Sequence, residues 1–302
     1  MTSPVVSVVI TCHDQARFLR DAVESVDRQT FRDFEIVVVD DGSTDETPVV
    51  MASLPRVRGL RQVNQGLSAA RNAGWRASRG RYLVFLDADD RLLPDALAAG
   101  VDAARAHAQA AFVSGHYAMI DGDGARGVVV RRPCVMSDHY AALLRRNYIG
   151  MHGAVLYARD TFSRFGGFDG SLPACEDYDV YLRVARTAPV VCHPEIVAEY
   201  RWHGANMSRD NTLMLGTSLR VLRRQRAYLH GHRALEAAYR EGVAFWQELF
   251  GEPLLDDFAR RLYGGASWRP TLRMLAVLLR CYPRGLGRRG AKVARRLVRV
   301  PT

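Results

Sequence analysis

Three groups of acidic residues in this chain stand where carboxylates could do chemistry. Asp87, Asp89 and Asp90 follow the apolar run Tyr82-Leu83-Val84-Phe85-Leu86, so a strand buried in a sheet would end in clustered carboxylates. Like charges that close repel, and a divalent cation relieves them. Hard oxygen ligands suit Mg2+ or Mn2+, which in turn bind phosphates. Asp40-Asp41-Gly42-Ser43-Thr44-Asp45 ends a second strand-like run that starts at Glu35. Carboxylates there could accept from the imide N–H of uracil or thymine, or from ribose hydroxyls. Taken singly, each motif is as readily a solvated turn or a helix cap; two acidic strand ends facing one crevice are more specific. Glu176-Asp177-Tyr178-Asp179 opens a helical stretch, where acids are also favoured by the helix dipole alone.

The elements that must position these residues can be read from periodicity. Residues 5–12 are rich in β-branched side chains, and Leu19, Ala22, Val23 and Val26 then repeat at helical spacing. Strands are expected at 35–40, 57–63 and 82–86, with a short helix capped by Ser43 or Thr44 and a longer one at 67–79. Residues 91–107 read as helix, and 111–120 as strand leading to the Asp121-Gly122-Asp123-Gly124 turn. Further on come a strand at 153–158, a helix at 176–187 and a strand at 190–200, and beyond 208 the pattern is helical. Strand and helix alternating at this length imply an α/β fold with a mostly parallel sheet, whose ligands gather at the carboxyl ends of the strands.

Several motifs occur in order: Val6 to Asp14, the Asp40–Asp45 turn, Asn64-x-Gly66-Leu67-Ser68-x-Ala70-Arg71-Asn72-x-Gly74, Gly80 through Asp90, Gly166-Gly167-Phe168-Asp169, Glu176-Asp177 and Tyr200-Arg201-x-His203. Together they resemble the family 2 glycosyltransferases of the GT-A fold, over roughly residues 4–210. The resemblance implies an inverting transfer of sugar from a nucleotide-diphosphate donor, UDP favoured, to a carbohydrate or lipid-linked acceptor. Thr11 and His13 then match the nucleoside pocket, with His13 and Asp14 standing where the family often has Tyr and Asn. Asp41, with Asp40 beside it, matches the carboxylate that reads the base. Arg71 matches a donor-pocket arginine, the alternative being a surface salt bridge. Asp87 matches a ribose or metal contact and Asp89 the cation ligand, for Mn2+ or Mg2+, while Asp90 is a helix cap or outer ligand. Asp177 matches the catalytic base, with Glu176 second. His203 resembles a residue that approaches metal or diphosphate, Gly167 shapes a loop near the acceptor, and Trp202 offers a flat face on which sugars pack. The implied organisation is a catalytic domain over 1–210, its nucleotide-sugar half about 1–120 and its acceptor half about 121–210, and a helical, basic extension over 211–302.

Composition narrows the alternatives. A chain of 302 residues, 48% hydrophobic and 25% charged, can bury one large core. Of its 42 Lys and Arg, twelve fall in residues 258–302, which hold no Asp or Glu, so the net charge of +10 belongs to the tail. Residues 270–302 mix Leu and Val with Arg in an amphipathic pattern that could lie on an anionic membrane surface, or equally pack on the catalytic domain. Tyr282 is the only aromatic beyond residue 270, which disfavours nucleic acid as a partner. No run reaches the roughly 18 apolar residues of a membrane-spanning helix, and the start shows no secretory signal. Five cysteines without a C-x-x-C pair suggest neither a disulfide framework nor a zinc cluster and fit a reducing cytoplasm, possible membrane attachment being peripheral. A dinucleotide-binding oxidoreductase would need glycines where Thr11-Cys12-His13-Asp14 stand. A phosphatase of the haloacid dehalogenase type would carry its D-x-D early in the chain. The serious rival is a non-catalytic scaffold that binds nucleotide-sugar at a membrane.

Overall fold

The structure is a computed structural model that describes residues 3–130, 134–264 and 267–288. The first half of the chain alternates strand and helix: β1 (Val6–Cys12), α1 (Ala16–Asp27), β2 (Phe34–Asp41), α2 (Thr47–Ala52), β3 (Val57–Gln62), α3 (Leu67–Ala77) and β4 (Tyr82–Asp87). These four strands pair in parallel in the order β3-β2-β1-β4. Every residue of β1 is buried, as expected of a central strand with both faces covered. Alternate residues Val6, Val8, Ile10 and Cys12 join the core that Leu19, Ala22, Val23 and Val26 of α1 enter from one side. Each such side chain contributes about 1.5–3 kcal/mol on burial. On the other side α3 presses against β1 and β2 at Gly74, where a Cβ would lie 2.2 Å from Val9 Cγ1.

The remainder of the sheet is mixed. It is built from β5 (Arg91–Leu92), β6 (Phe112–Ile120), β7 (Arg126–Val130), β8 (Val155–Ala158) and β9 (Val190–Arg201), and four helices accompany it: α4 (Ala96–Ala106), α5 (His139–Arg145), α6 (Asp160–Phe165) and α7 (Glu176–Ala185). The strand order continues β4-β8-β6-β9-β5, with β7 on β6. β8 runs antiparallel to both β4 and β6, while β6 and β9 are parallel. Phe85, Phe112, Tyr157, Phe162, Phe168 and Tyr181 pack ring to ring beneath this half.

Three local expectations need correction. Residues 91–107 are not helical from the start, because Arg91 and Leu92 pair with Glu199 and Ala198 of β9 and the helix begins only at Ala96. Asp90 therefore caps no helix. Neither Ser43 nor Thr44 caps α2, which starts at Thr47, where Asp45 Oδ1 accepts the Thr47 N–H.

The chain divides into two compact units, one running to Gly204 without Leu144–Arg146, the other holding that short segment and the chain from Ala205. The second unit is helical: α8 (Asn211–Gln225), α9 (Arg233–Trp246), α10 (Glu252–Tyr263) and α11 (Trp268–Cys281), with a π-helical turn at Gln247–Gly251. Among the described residues no helix is long and apolar enough to cross a membrane. Much of the basic pattern from residue 289 onward lies outside the described residues.

Candidate active site

The pairing register decides which strand tips can meet. In parallel strands, residues paired through their Cα atoms face the same way, and Thr11 pairs with Asp87 of β4 and with Val39 of β2. Thr11, Asp41 and Asp87 therefore share one face of the sheet, the face covered by α3. Cys12 and Asp40 pair on the opposite face. Asp40 thus does not join Asp41. Its fully enclosed carboxylate accepts the Ser43 N–H at 2.8 Å, and Arg61 Nε lies 3.2 Å from Oδ2, close enough for an ion pair though not aligned for a hydrogen bond. Asp40 shapes the turn and does not address a ligand.

The loops after β1 and β2 are tied to each other. Asp14, with φ of 52°, accepts from the Thr44 N–H at 2.7 Å and the Asp45 N–H at 3.3 Å, and these bonds hold its carboxyl below the usual range. Asp41 accepts from Gln62 Nε2 (2.7 Å), Gln65 N (2.9 Å) and Gly66 N (2.8 Å), which docks the start of α3 against β2. His13 is exposed, and its ring nitrogen lies 3.1 Å from Asn64 Nδ2. An imidazole, a side-chain amide and a carboxylate are thereby gathered where the loops after β1, β2 and β3 meet. Sequence reasoning passed over Asn64 as a contact, although it opens the motif that contains Arg71.

Arg71 is the centre of the arrangement. It is 2% exposed, so the surface salt-bridge reading is wrong. One guanidinium nitrogen lies 2.7 Å from Asp87 Oδ1 and another is hydrogen-bonded to Glu176 Oε1. Burial works against its charge, but Asp87 and Glu176 outweigh burial and hold it protonated. Because Glu176 opens α7, this one side chain fastens the tip of β4 to the helix that carries Asp177.

Glu176 and Asp177 are adjacent but differently engaged. Glu176 is buried and committed to Arg71. Asp177 is half-buried, and its Oδ1 accepts the N–H of Tyr178 at 2.6 Å. Burial, reinforced by the charge of Glu176, pushes the Asp177 carboxyl up to about 7, while Arg71 pulls the other way. A carboxylate tuned to that range can take a proton near neutral pH.

On the other flank, Asp89 and His203 meet, with Nε2 at 2.9 Å from Oδ2. The His203 ring packs 5.1 Å from Phe18 of α1. Burial and then the charge of Asp87 raise the Asp89 carboxyl, with the His203 hydrogen bond opposing them. Asp90, almost wholly buried, is raised well above the ordinary range by burial and by both neighbouring aspartates. It accepts the Arg201 N–H at 2.8 Å. Arg201 was quoted in its motif but given no role, yet it is 2% exposed and binds Asp89 O at 2.7 Å and Asp21 Oδ2 at 2.5 Å. Its place between Tyr200 and Trp202 in an alternating strand was the available signal.

The acidic group offers the oxygen donors that a hard divalent cation takes. Arg71 and Thr11 both address Asp87 Oδ1, at 2.7 and 3.3 Å, and leave Oδ2 without a partner among the described residues. Asp89 and Asp90 are crowded carboxylates whose mutual repulsion has only partial relief. Asp87 Oδ2 and the Asp89 carboxylate are oxygen donors of the kind Mn2+ or Mg2+ takes, but with His203 they do not stand within 4.8 Å of one another, so a cation would have to gather them. Trp202, 44% exposed, adjoins His203. Gly167 is packed so closely on Asn72 that a Cβ would lie 2.2 Å from its Oδ1, and Asn72 also accepts the Phe168 N–H at 2.9 Å. This glycine fixes the loop before α7 through packing.

Known proteins resemble this chain in sequence and in fold. Residues 7–165 match the family described as Glycosyl transferase family 2. A chondroitin synthase of Escherichia coli is 32% identical over 209 residues, which cover 68% of this chain and 30% of that protein. An uncharacterized glycosyltransferase of Rickettsia felis is 29% identical over 215 residues, covering 68% of this chain and 35% of that protein. The chain thus spans about a third of the length of these curated relatives. Among solved structures, S. aureus TarS 1-349 in complex with UDP-GlcNAc superposes with a TM-score of 0.66 at 16% identity, covering 79% of this chain and 71% of that one. The mannosyltransferase PcManGT from Pyrobaculum calidifontis, in complex with GDP-Man and Mn2+, gives 0.59 at 19% identity over 92% of this chain and 87% of that one. At such identities the likeness shows the fold, a mixed α/β sheet flanked by helices of the GT-A type.

Proposed function

Because the chain belongs to glycosyl transferase family 2, we propose that it moves a sugar from a nucleotide-diphosphate donor, UDP favoured, to an acceptor hydroxyl with inversion. The observation that carries this reading is the Arg71 bridge between Asp87 and Glu176, which binds the acidic strand tip to the helix presenting Asp177. Thr11, Asp41, His13 and Asn64 line the nucleoside side. The complex of TarS with UDP-GlcNAc supports a uridine donor on the same fold.

Asp177 accepts the proton of the attacking hydroxyl. Glu176 holds Arg71 in place and is the poorer base, since Arg71 already occupies its carboxylate. Asp87, Asp89 and His203 would hold Mn2+ or Mg2+, as the complex of PcManGT with GDP-Man and Mn2+ supports. When bound, the cation neutralises charge developing on the departing diphosphate. Trp202 offers its exposed ring to a sugar on the acceptor side.

The acceptor is a carbohydrate or a lipid-linked glycan, met from the cytoplasm at a membrane surface. Support comes from α11, where Trp268, Leu272 and Leu279 are 66%, 53% and 59% exposed. Their spacing of four and seven places them on one stripe, and Arg269, Arg273 and Arg280 flank it.

A thermal-shift screen of nucleotides and nucleotide-sugars, with and without Mn2+, tests the donor reading. The expected result is a rise with a uridine diphosphate sugar that depends on Mn2+. A chain indifferent to every nucleotide in the presence of Mn2+ would refute it.

A further inference from the structure

Away from the acidic cluster, three soft ligands that the sequence keeps far apart come together. His116 lies within β6, Cys192 near the start of β9, and Cys134 in the connection from β7 to α5. β6 and β9 are parallel with Ser114 opposite Cys192. β7 runs antiparallel to β6 with Val130 opposite Tyr117. The Cys134 sulfur is 2.8 Å from the Cys192 sulfur and 3.6 Å from His116 Nε2. All three ligand atoms lie within 4.8 Å of one another, and among the described residues no other trio of His, Cys, Asp or Glu is so closely drawn. Cysteine spacing gave no hint of this, because the group is assembled from three separate elements.

We propose that His116, Cys134 and Cys192 form a binding site for a thiophilic divalent cation of the Zn2+ class, separate from the nucleotide-sugar site. Two thiols and an imidazole are the donors that borderline-soft Zn2+ prefers and that hard Mg2+ does not, with a fourth position left to water. On binding, both thiols release their protons to solvent, His116 contributes a neutral nitrogen lone pair, and no electron is transferred.

The position indicates what the ion does. Cys134 starts the connection into α5, and Leu143 O of α5 accepts the hydroxyl of Tyr178 at 2.6 Å, next to Asp177. A bound ion fastens this connection to the sheet and steadies the helix that carries the base. It touches no reacting atom.

The test titrates the full chain, stripped of metal by chelator and kept reduced without air, with Co2+ as a spectroscopic probe. We expect one equivalent to give a thiolate-to-Co2+ charge-transfer band in the near ultraviolet, which Zn2+ abolishes and Mg2+ does not. Cys134→Ser and Cys192→Ser each remove the band, and His116→Ala lowers Co2+ affinity by at least about tenfold. Asp89→Asn and Cys281→Ser keep it. The proposal falls if the reduced parental chain gives no thiolate band, or if the band survives both serine variants. It falls equally if air simply joins Cys134 to Cys192, as peptide mass would show, and reduction restores no metal uptake. The parental chain decides two of these outcomes, so poor folding of a variant does not protect the idea.

Discussion

Asp177 and Glu176 are neighbours on the first turn of α7, and their different partners give their variants different signatures. Asp177→Asn keeps the shape and removes the base, so transfer should fall by about 10²–10⁴-fold with donor affinity unchanged. With the Asp177 carboxyl pushed up to about 7, the base form is scarce below that pH. Turnover per donor bound should rise about tenfold per pH unit up to about 7 and then level off, a dependence that Asp177→Asn abolishes. A parental profile flat between pH 5 and 8 would remove Asp177 from the role. Arg71 calls for a stability measurement, because Arg71→Met leaves the buried Glu176 and the partly exposed Asp87 without their shared cation. Loss of one partner from such a buried network costs about 3–5 kcal/mol, readable by urea unfolding, and Arg71→Lys should recover only part since lysine lacks the two-armed geometry. The carboxylates were legible from sequence because they end apolar runs. The burial of Arg71 was not, since it depends on Glu176 arriving 105 positions later in the chain. Asp40 was misread for a different reason: facing alternates along a strand, and only the pairing register shows which of two adjacent aspartates shares a face with Thr11.

At the scale of elements, the tip of β4 behaves as a unit: Arg71 pairs with Asp87, while Asp89 and Asp90 stay crowded. Asp89 and Asp90 have carboxyls raised by burial and mutual repulsion, so the folded state holds their protons more tightly than the unfolded chain does. The sign follows by linkage. Their contribution favours folding below the unfolded value of about 4 and is lost as pH rises toward the folded values. A cation binds the ionised carboxylates, so the rise in melting temperature caused by Mn2+ should be larger at pH 7.5 than at pH 5. Asp89→Asn, which keeps an acceptor for His203, should melt no lower than the parent without Mn2+ at pH 7.5 and should lose the Mn2+ increment. An undiminished increment would place the cation elsewhere. The long elements around this tip were legible: β1, β2, α3, β4, β6 and β9 lie within a few residues of their expected spans, because α3 buries residues at helical spacing and β1, β2, β4 and β6 are apolar runs buried along most of their length. β7, exposed along most of its length, and α6, only six residues long, offered no such period. The two residues of β5 were absorbed into the helix that follows because their partner strand lies more than a hundred positions away.

For the whole molecule, the question is why residues 258–302 hold twelve Lys and Arg and no Asp or Glu, while the rest of the chain is nearly neutral. The charge asymmetry was plain in composition, but composition could not separate a solvated, packed helix from one that seeks a surface. In α11 the buried residues are Leu278 and Cys281, while Trp268, Leu272 and Leu279 face outward. Exposed apolar side chains on a folded helix cost solvation free energy that insertion into a lipid headgroup boundary would recover. Each adjacent arginine near an anionic leaflet adds about 1 kcal/mol of attraction. The chain should therefore float with vesicles rich in anionic lipid and stay behind with neutral ones, and binding should weaken as salt is raised. Replacing Trp268, Leu272 and Leu279 together by Ser should reduce recovery on anionic vesicles while transfer to a soluble acceptor continues. Equal recovery on anionic and neutral vesicles, with and without residues 270–302, would leave the arginines without a membrane role. The glycan acceptor would then have to be sought in solution.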